Sequence, residues 1–284
     1  MIAIEQLRYV RLGTRDLAGA ADFAQRILGL QLVERTSEAA YFRSDYRDHT
    51  LVYHHGDPAE QAIGFEVRDT ETLEQALAVL KDRGLEAEEG TAEGCLLRKV
   101  KAYGSFRDAS GNLIELVVRP LHSGWRYHAP RDAGVTGLAE VALRGVADGT
   151  GERLWTELFS GRVSDRVGDT AYIRFDDAHH RLAVYPTDTP GILAIEFGVE
   201  NVDLIMQNSY YLQANQVRIM HGPGRRPTSN QVFVTFQGPD GVYFSYVAEG
   251  DRIEDEDRHR PRQFPRQPLS FCAWGSHSEV PEFN

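Results

Sequence analysis

The stretch that decides the fold occurs twice. Glu34-Arg35-Thr36-Ser37-Glu38-Ala39-Ala40-Tyr41-Phe42-Arg43 returns as Asp165-Arg166-Val167-Gly168-Asp169-Thr170-Ala171-Tyr172-Ile173-Arg174, 131 residues later. At the same offset, His49-Thr50-Leu51-Val52 meets His180-Arg181-Leu182-Ala183, and Leu7-Arg8-Tyr9-Val10-Arg11-Leu12 meets Leu138-Ala139-Glu140-Val141-Ala142-Leu143. Further on, Ala62–Val67 meets Ala194–Val199 and Ser110–Glu115 meets Asp240–Ser245 at offsets of 132 and 130. Five blocks in one order and nearly one register describe a duplicated unit.

Working outward, each copy reads as two β-α-β-β-β units. Residues 7–12 alternate as a strand. Over 16–28, Leu17, Ala20, Ala21, Ala24 and Leu28 recur at helical spacing. Short strands are predicted near 30–35, 39–44 and 49–55. The second unit opens at Ile63–Val67. Asp69 is predicted to cap a helix whose apolar face is Leu73, Ala76, Leu77 and Leu80, ending near Gly84. Asn201 caps the matching helix near 202–215, where Met206 and Tyr210 read as core. The fold class is therefore α+β. The predicted parts are an N-terminal module over 1–118, a linker over 119–134, a C-terminal module over 135–250 and a tail over 251–284. The tail begins with a charged run. It then carries Phe264, Phe271, Trp274 and Phe283, which are expected to pack on the body or on a neighbour.

Bulk composition narrows the function classes. Of 284 residues, 42% are hydrophobic, and no apolar run approaches the ~20 residues that span a bilayer. The N-terminus reads as strand, not as a secretory leader. Cys95 and Cys272 are too few and too far apart for a disulfide scaffold, which points to a reducing cytoplasm. A net charge of −11 gives no basic field for nucleic acid or anionic lipid.

The repeat, with the turn Gly222-Pro223-Gly224-Arg225-Arg226-Pro227-Thr228-Ser229-Asn230, resembles the type I extradiol ring-cleavage dioxygenases of the vicinal-oxygen-chelate superfamily over roughly 5–250. The resemblance implies two tandem modules, each curling its sheet around a cavity. It also implies Fe(II) or Mn(II) held in the second module by two histidines and a glutamate, a facial set that leaves positions for catecholate and O2. This chain departs from that pattern. Glu140 stands at the first histidine position, Ala194 at the second and Ser245 at the glutamate position. Arg226 replaces an assisting histidine in the turn. In the first copy the matching positions are Tyr9, Ala62 and Glu115. Taken with these departures, the resemblance implies a protein with no metal cofactor that binds a catechol-like or ring-fission-product-like aromatic acid; the alternatives are an Fe(II) or Mn(II) enzyme with displaced ligands and a non-catalytic subunit. The partners it implies are a small aromatic or dicarboxylic acid and other protein chains, in a homo-oligomer or a hetero-oligomer with an active paralogue.

The altered pocket is expected to use Glu140 as general base, Arg226 as a bidentate anion fork and Tyr246 as donor. His180 is a further catalytic candidate, with His179, Ser245 and Ala194 lining the substrate site. The plainer alternative is that Glu140 and Arg226 pair and fill the abandoned metal position. His54 and His55 are adjacent and so point to opposite faces of a strand. His122, His128, His221, His259 and His277 read as surface or linker residues.

Overall fold

The computed structural model describes all residues 1–284. Its first half contains β1 (Gln6–Thr14), α1 (Leu17–Asp22), β2 (Gln31–Arg35), β3 (Ala39–Arg43), β4 (Leu51–His55), β5 (Gln61–Val67), α2 (Thr70–Asp82), β6 (Ala87–Glu89), α3 (Ala92–Arg98), β7 (Ala102–Arg107) and β8 (Leu113–Val118). Its second half contains β9 (Val135–Gly145), α4 (Thr150–Arg153), β10 (Arg162–Val167), β11 (Thr170–Arg174), β12 (Leu182–Pro186), β13 (Gly191–Val199), α5 (Val202–Ala214), β14 (Ile219–Arg225), β15 (Val232–Gln237) and β16 (Tyr243–Ala248). The tail adds β17 (Arg262–Phe264) and α6 (Pro268–Phe271). No helix is long and apolar enough to cross a membrane.

The two halves have one topology. The first sheet runs β2-β3-β4-β1-β5-β8-β7-β6, and the second runs β10-β11-β12-β9-β13-β16-β15-β14 when read in the same direction, with β17 added beside β10. In each half the opening strand pairs parallel with the fourth and antiparallel with the fifth. Asp69 and Asn201 cap α2 and α5 by accepting the backbone N–H of Thr72 and Leu204. The stretch predicted as one helix over 16–28 is α1 followed by a wider π turn at Phe23–Ile27. The same break follows α4, at Leu154–Leu158.

One face of each sheet packs into a core shared by the halves. Phe23 lies against Phe236 and Phe244 of the second sheet, while Trp155 and Phe159 lie against Phe65 and Phe106 of the first. The halves therefore exchange the aromatic side chains that follow their first helices, and 54 buried residues form a single cluster. Residues 119–134 hold no strand or helix and bridge the halves through Arg131. Its guanidinium donates to Ile27 O, to Asn208 Oδ1 at 2.8 Å and to the Tyr246 hydroxyl at 2.8 Å.

The opposite, concave face of the second sheet is closed by the tail. Phe271, Val280 and Phe283 pack with Ala142, Tyr172, Ala183, Tyr185, Ala194 and Met220. Trp274 is 54% exposed on the single chain, with the Arg225 guanidinium over its ring.

Candidate functional site

The concave face of the second module gathers side chains from alternating strand positions. Glu140 on β9 stands opposite Glu196 on β13, and Glu196 stands beside Ser245 on β16. Ala194 lies on the same face two residues from Glu196, opposite Ala142. Glu140, Glu196 and Ser245 are all buried. Two carboxylates this close inside a protein need a cation, and Arg226 supplies it. Its Nη1 and Nη2 donate to the two oxygens of Glu196 at 2.7 and 2.6 Å, while Glu140 lies at 3.4 Å. Two counter-charges were expected for Arg226, a ligand anion or Glu140; the structure shows the contact to Glu140 at 3.4 Å and adds a bidentate bond to Glu196, which sequence reasoning had passed over. A lone charge in the run Ile192-Leu193-Ala194-Ile195-Glu196-Phe197 was the available signal.

Glu140 has other partners. The Gln231 amide donates to its Oε1, and the Gln231 carbonyl oxygen accepts from Arg226 and from the Ser229 hydroxyl. His180 Nε2 is 2.8 Å from Glu140 Oε2. His180 Nδ1 meets His179 Nδ1 at 3.0 Å, and His179 Nε2 meets Asp165 at 3.1 Å. Arg262 of the tail closes this row, donating through its backbone N–H and its guanidinium to Asp165. Neighbouring histidines on an extended strand would face apart. Here they precede β12, in a turn that lets both rings join one row. Burial, and then the Arg226 charge, push the His180 imidazole down to about 3. Burial also lowers His179. Burial raises Glu196 against the opposing pull of Arg226.

Tyr246 does not join this cluster. Its side chain points to the shared core, where its hydroxyl donates to Ile27 O at 2.7 Å and accepts from Arg131. The cause is strand alternation: Ser245 faces the concave side, so the next residue cannot. Ser245 shares a hydrogen bond of 2.8 Å with Thr235. His221, expected at the surface, is buried between Phe233 and Phe283, and burial pushes it down to about 4.

Between the cluster and the tail a crevice of about 10 Å³ is lined by Tyr172, Tyr185, His221, Arg226, Phe271 and Phe283. That is room for about one water. Roomier grooves of about 450 Å³ lie near Asp148 and Arg166 and near Asp16 and Arg26, outside the ionised cluster.

The donor set does not fit the metal that the resemblance implies. A facial triad needs two neutral imidazoles and a carboxylate converging on one point. The positions that the resemblance singles out, Glu140, Ala194 and Ser245, carry a carboxylate, a methyl and a hydroxyl, and a guanidinium is lodged between Glu140 and Glu196.

Comparison with known proteins agrees with the architecture. Residues 6–116 match the Glyoxalase/Bleomycin resistance protein/Dioxygenase superfamily. An iron-dependent extradiol dioxygenase of Rhodococcus jostii (strain RHA1) is 25% identical, over 98% of this chain and 99% of that protein. A biphenyl-2,3-diol 1,2-dioxygenase of Sphingomonas paucimobilis is 24% identical over 51% of each chain. Among solved structures, the halotolerant catechol dioxygenase BphC superposes with a TM-score of 0.88 at 22% identity, covering 100% of this chain and 98% of that one. The Mn(II)-bound glyoxalase of Novosphingobium aromaticivorans gives 0.87 at 21%, covering 100% and 94%. At these identities the structural likeness establishes the fold.

Proposed function

We propose that this chain, a relative of the extradiol dioxygenases within the glyoxalase/bleomycin resistance/dioxygenase superfamily, binds a catechol-like aromatic in its second module without cleaving it through iron. The observation that carries the reading is the Arg226 fork on Glu196, set between the two carboxylates. It gives the cluster the positive charge that a divalent ion supplies in a facial-triad site.

The biphenyl-2,3-diol and catechol dioxygenases named above carry an aromatic diol in their names, and the chemistry of this cluster suits a neutral diol better than an acid. Arg226 is already held by two hydrogen bonds to Glu196, and Glu140 leaves two carboxylates facing one guanidinium. A further anion meets repulsion there, whereas phenolic O–H groups meet acceptors in the carboxylates of Glu140 and Glu196. The rings of Tyr172 and Tyr185 provide apolar walls. Since the crevice is about 10 Å³, a ring enters only as Phe271 or Phe283 moves aside with the tail. Glu140 and His180 are the pair placed to accept and return a proton on a bound phenol.

The test uses protein produced with Fe(II) and Mn(II) supplied. The expected result is substoichiometric metal by elemental analysis, catechol binding by calorimetry and no catechol-dependent oxygen uptake. Stoichiometric iron or manganese with oxygen uptake overturns the proposal, and so does failure to bind catechol.

A further inference from the structure

The first module has its own concave face, built by the same topology, and that face contains a buried cation with no counter-charge. Along β1 the side chains alternate, with Val10 and Leu12 in the shared core and Tyr9 and Arg11 on the other side. Arg11 is paired in register with Val52 and Ala62. Its counterpart at the repeat offset is Ala142, which sits between Ala183 and Ala194 on the concave face of the second module. Arg11 is 9% exposed, forms no ion pair, and its buried Nη1 has no hydrogen-bond partner.

The acids of this face are committed elsewhere. Glu115 accepts from the Tyr9 hydroxyl at 2.7 Å and from Arg98 of α3. Asp48 is held by Lys99 at 3.2 Å and by His49 Nδ1 at 3.2 Å. Lys99 also holds Glu34 at 2.9 Å. A guanidinium N–H taken out of water without an acceptor is costly, which marks Arg11 as a group awaiting an anion.

A second orphan shares the face. His49, 3% exposed, has an Nε2 with no partner. Its ring lies 5.2 Å from that of Tyr9 and 5.5 Å from that of Tyr41. His49 is the repeat counterpart of His180. Asp48, held below its ordinary value despite burial, is a carboxylate, so His49 Nδ1 carries the hydrogen that faces it. Burial, with a smaller push from Arg11, keeps His49 neutral. Nε2 is then an acceptor.

We propose that the concave face of the first module binds a small carboxylic acid, one oxygen accepting from Arg11 and the other sharing a proton with His49 Nε2. Tyr9 and Tyr41 flank the ligand. A carboxylate that is ionised in solution brings one proton with it, either on its own oxygen or onto His49. Binding is therefore accompanied by uptake of one proton near neutral pH and weakens as pH rises. The groups facing this proton are Asp48, Lys99, Arg11, Tyr9 and Tyr41, with Glu115 and Arg98 paired behind them. The site is separate from the catechol crevice of the second module.

The experiment uses the whole chain, with acetate and benzoate as probes. Thermal melts are followed for wild type and Arg11→Met, and calorimetry in buffers of different ionisation enthalpy counts protons. At least one acid is expected to raise the wild-type melting temperature and to bind with uptake of one proton. Arg11→Met is expected to melt at or above ligand-free wild type, since an unpaired buried charge is replaced by an apolar chain of similar length, and to lose the acid response. His49→Gln is expected to fold and to bind without proton uptake. The proposal is overturned if neither acid shifts wild type, if the shift survives in Arg11→Met, or if Arg11→Met melts well below wild type, which would mean the guanidinium is already satisfied.

Discussion

Arg226→Ala removes the cation that holds Glu196 and Glu140 together. Both oxygens of Glu196 lose a charge-assisted bond, at 2.6 and 2.7 Å, and Glu140 loses its neighbour at 3.4 Å. Breaking one side of a buried pair costs about 3–5 kcal/mol, because a carboxylate is left uncompensated. Protonation limits that cost. Neutralising a carboxylate of ordinary pKa near 4.3 at pH 7 takes about 2.7 pH units at 1.36 kcal/mol each, or about 3.7 kcal/mol. The variant is therefore expected to be destabilised by about 3–4 kcal/mol at pH 7. The difference from wild type should shrink by about 1.4 kcal/mol per pH unit on acidification, to about 1 kcal/mol at pH 5. Urea unfolding of both proteins at pH 7, 6 and 5 measures it. Arg226→Met with Glu196→Gln removes both charges and should recover most of the loss. A single variant that costs under about 1 kcal/mol at pH 7, or a loss independent of pH, refutes the assignment of Arg226 as the counter-ion of a buried carboxylate.

Three further outcomes follow from the same geometry. His179, His180 and His221 are buried and lowered, His180 to about 3 and His221 to about 4. The unfolded chain takes these protons near pH 6.5 and the folded chain only lower. The unfolded state thus binds more protons in between, and stability should fall as pH drops from about 6.5 toward 4, by up to about 1.4 kcal/mol per pH unit for each histidine; a flat urea-unfolding profile over that range refutes it. Tyr246→Phe removes the hydroxyl shared by Ile27 O and Arg131 and should cost about 1–3 kcal/mol in urea unfolding, leaving catechol affinity by calorimetry unchanged. Phe283→Ala should enlarge the crevice and raise catechol affinity; weakened binding would show that the Phe283 ring forms part of the seat instead of filling it.

The duplication and the order of the β-α-β-β-β units were legible in the chain alone. These are local or periodic properties: alternation, helical spacing, caps at Asp69 and Asn201, and residue types at fixed offsets. Which charges meet was settled by the folding of the sheets in space. Arg226 and Glu196 are 30 residues apart, and their pairing depends on the register between β13 and β9 and on the path of the turn after β14. Tyr246 was misread because alternation about Ser245 assigns it to the opposite face, and which face is concave appears only once the sheet has curled. Arg11 reads as an ordinary polar residue of an alternating strand. It becomes a buried cation without a partner only when β4 and β5 close on either side and Arg98, from a helix absent in the second module, takes Glu115. Burial and counter-charge are properties of what surrounds a residue in space, so a single chain order leaves them open.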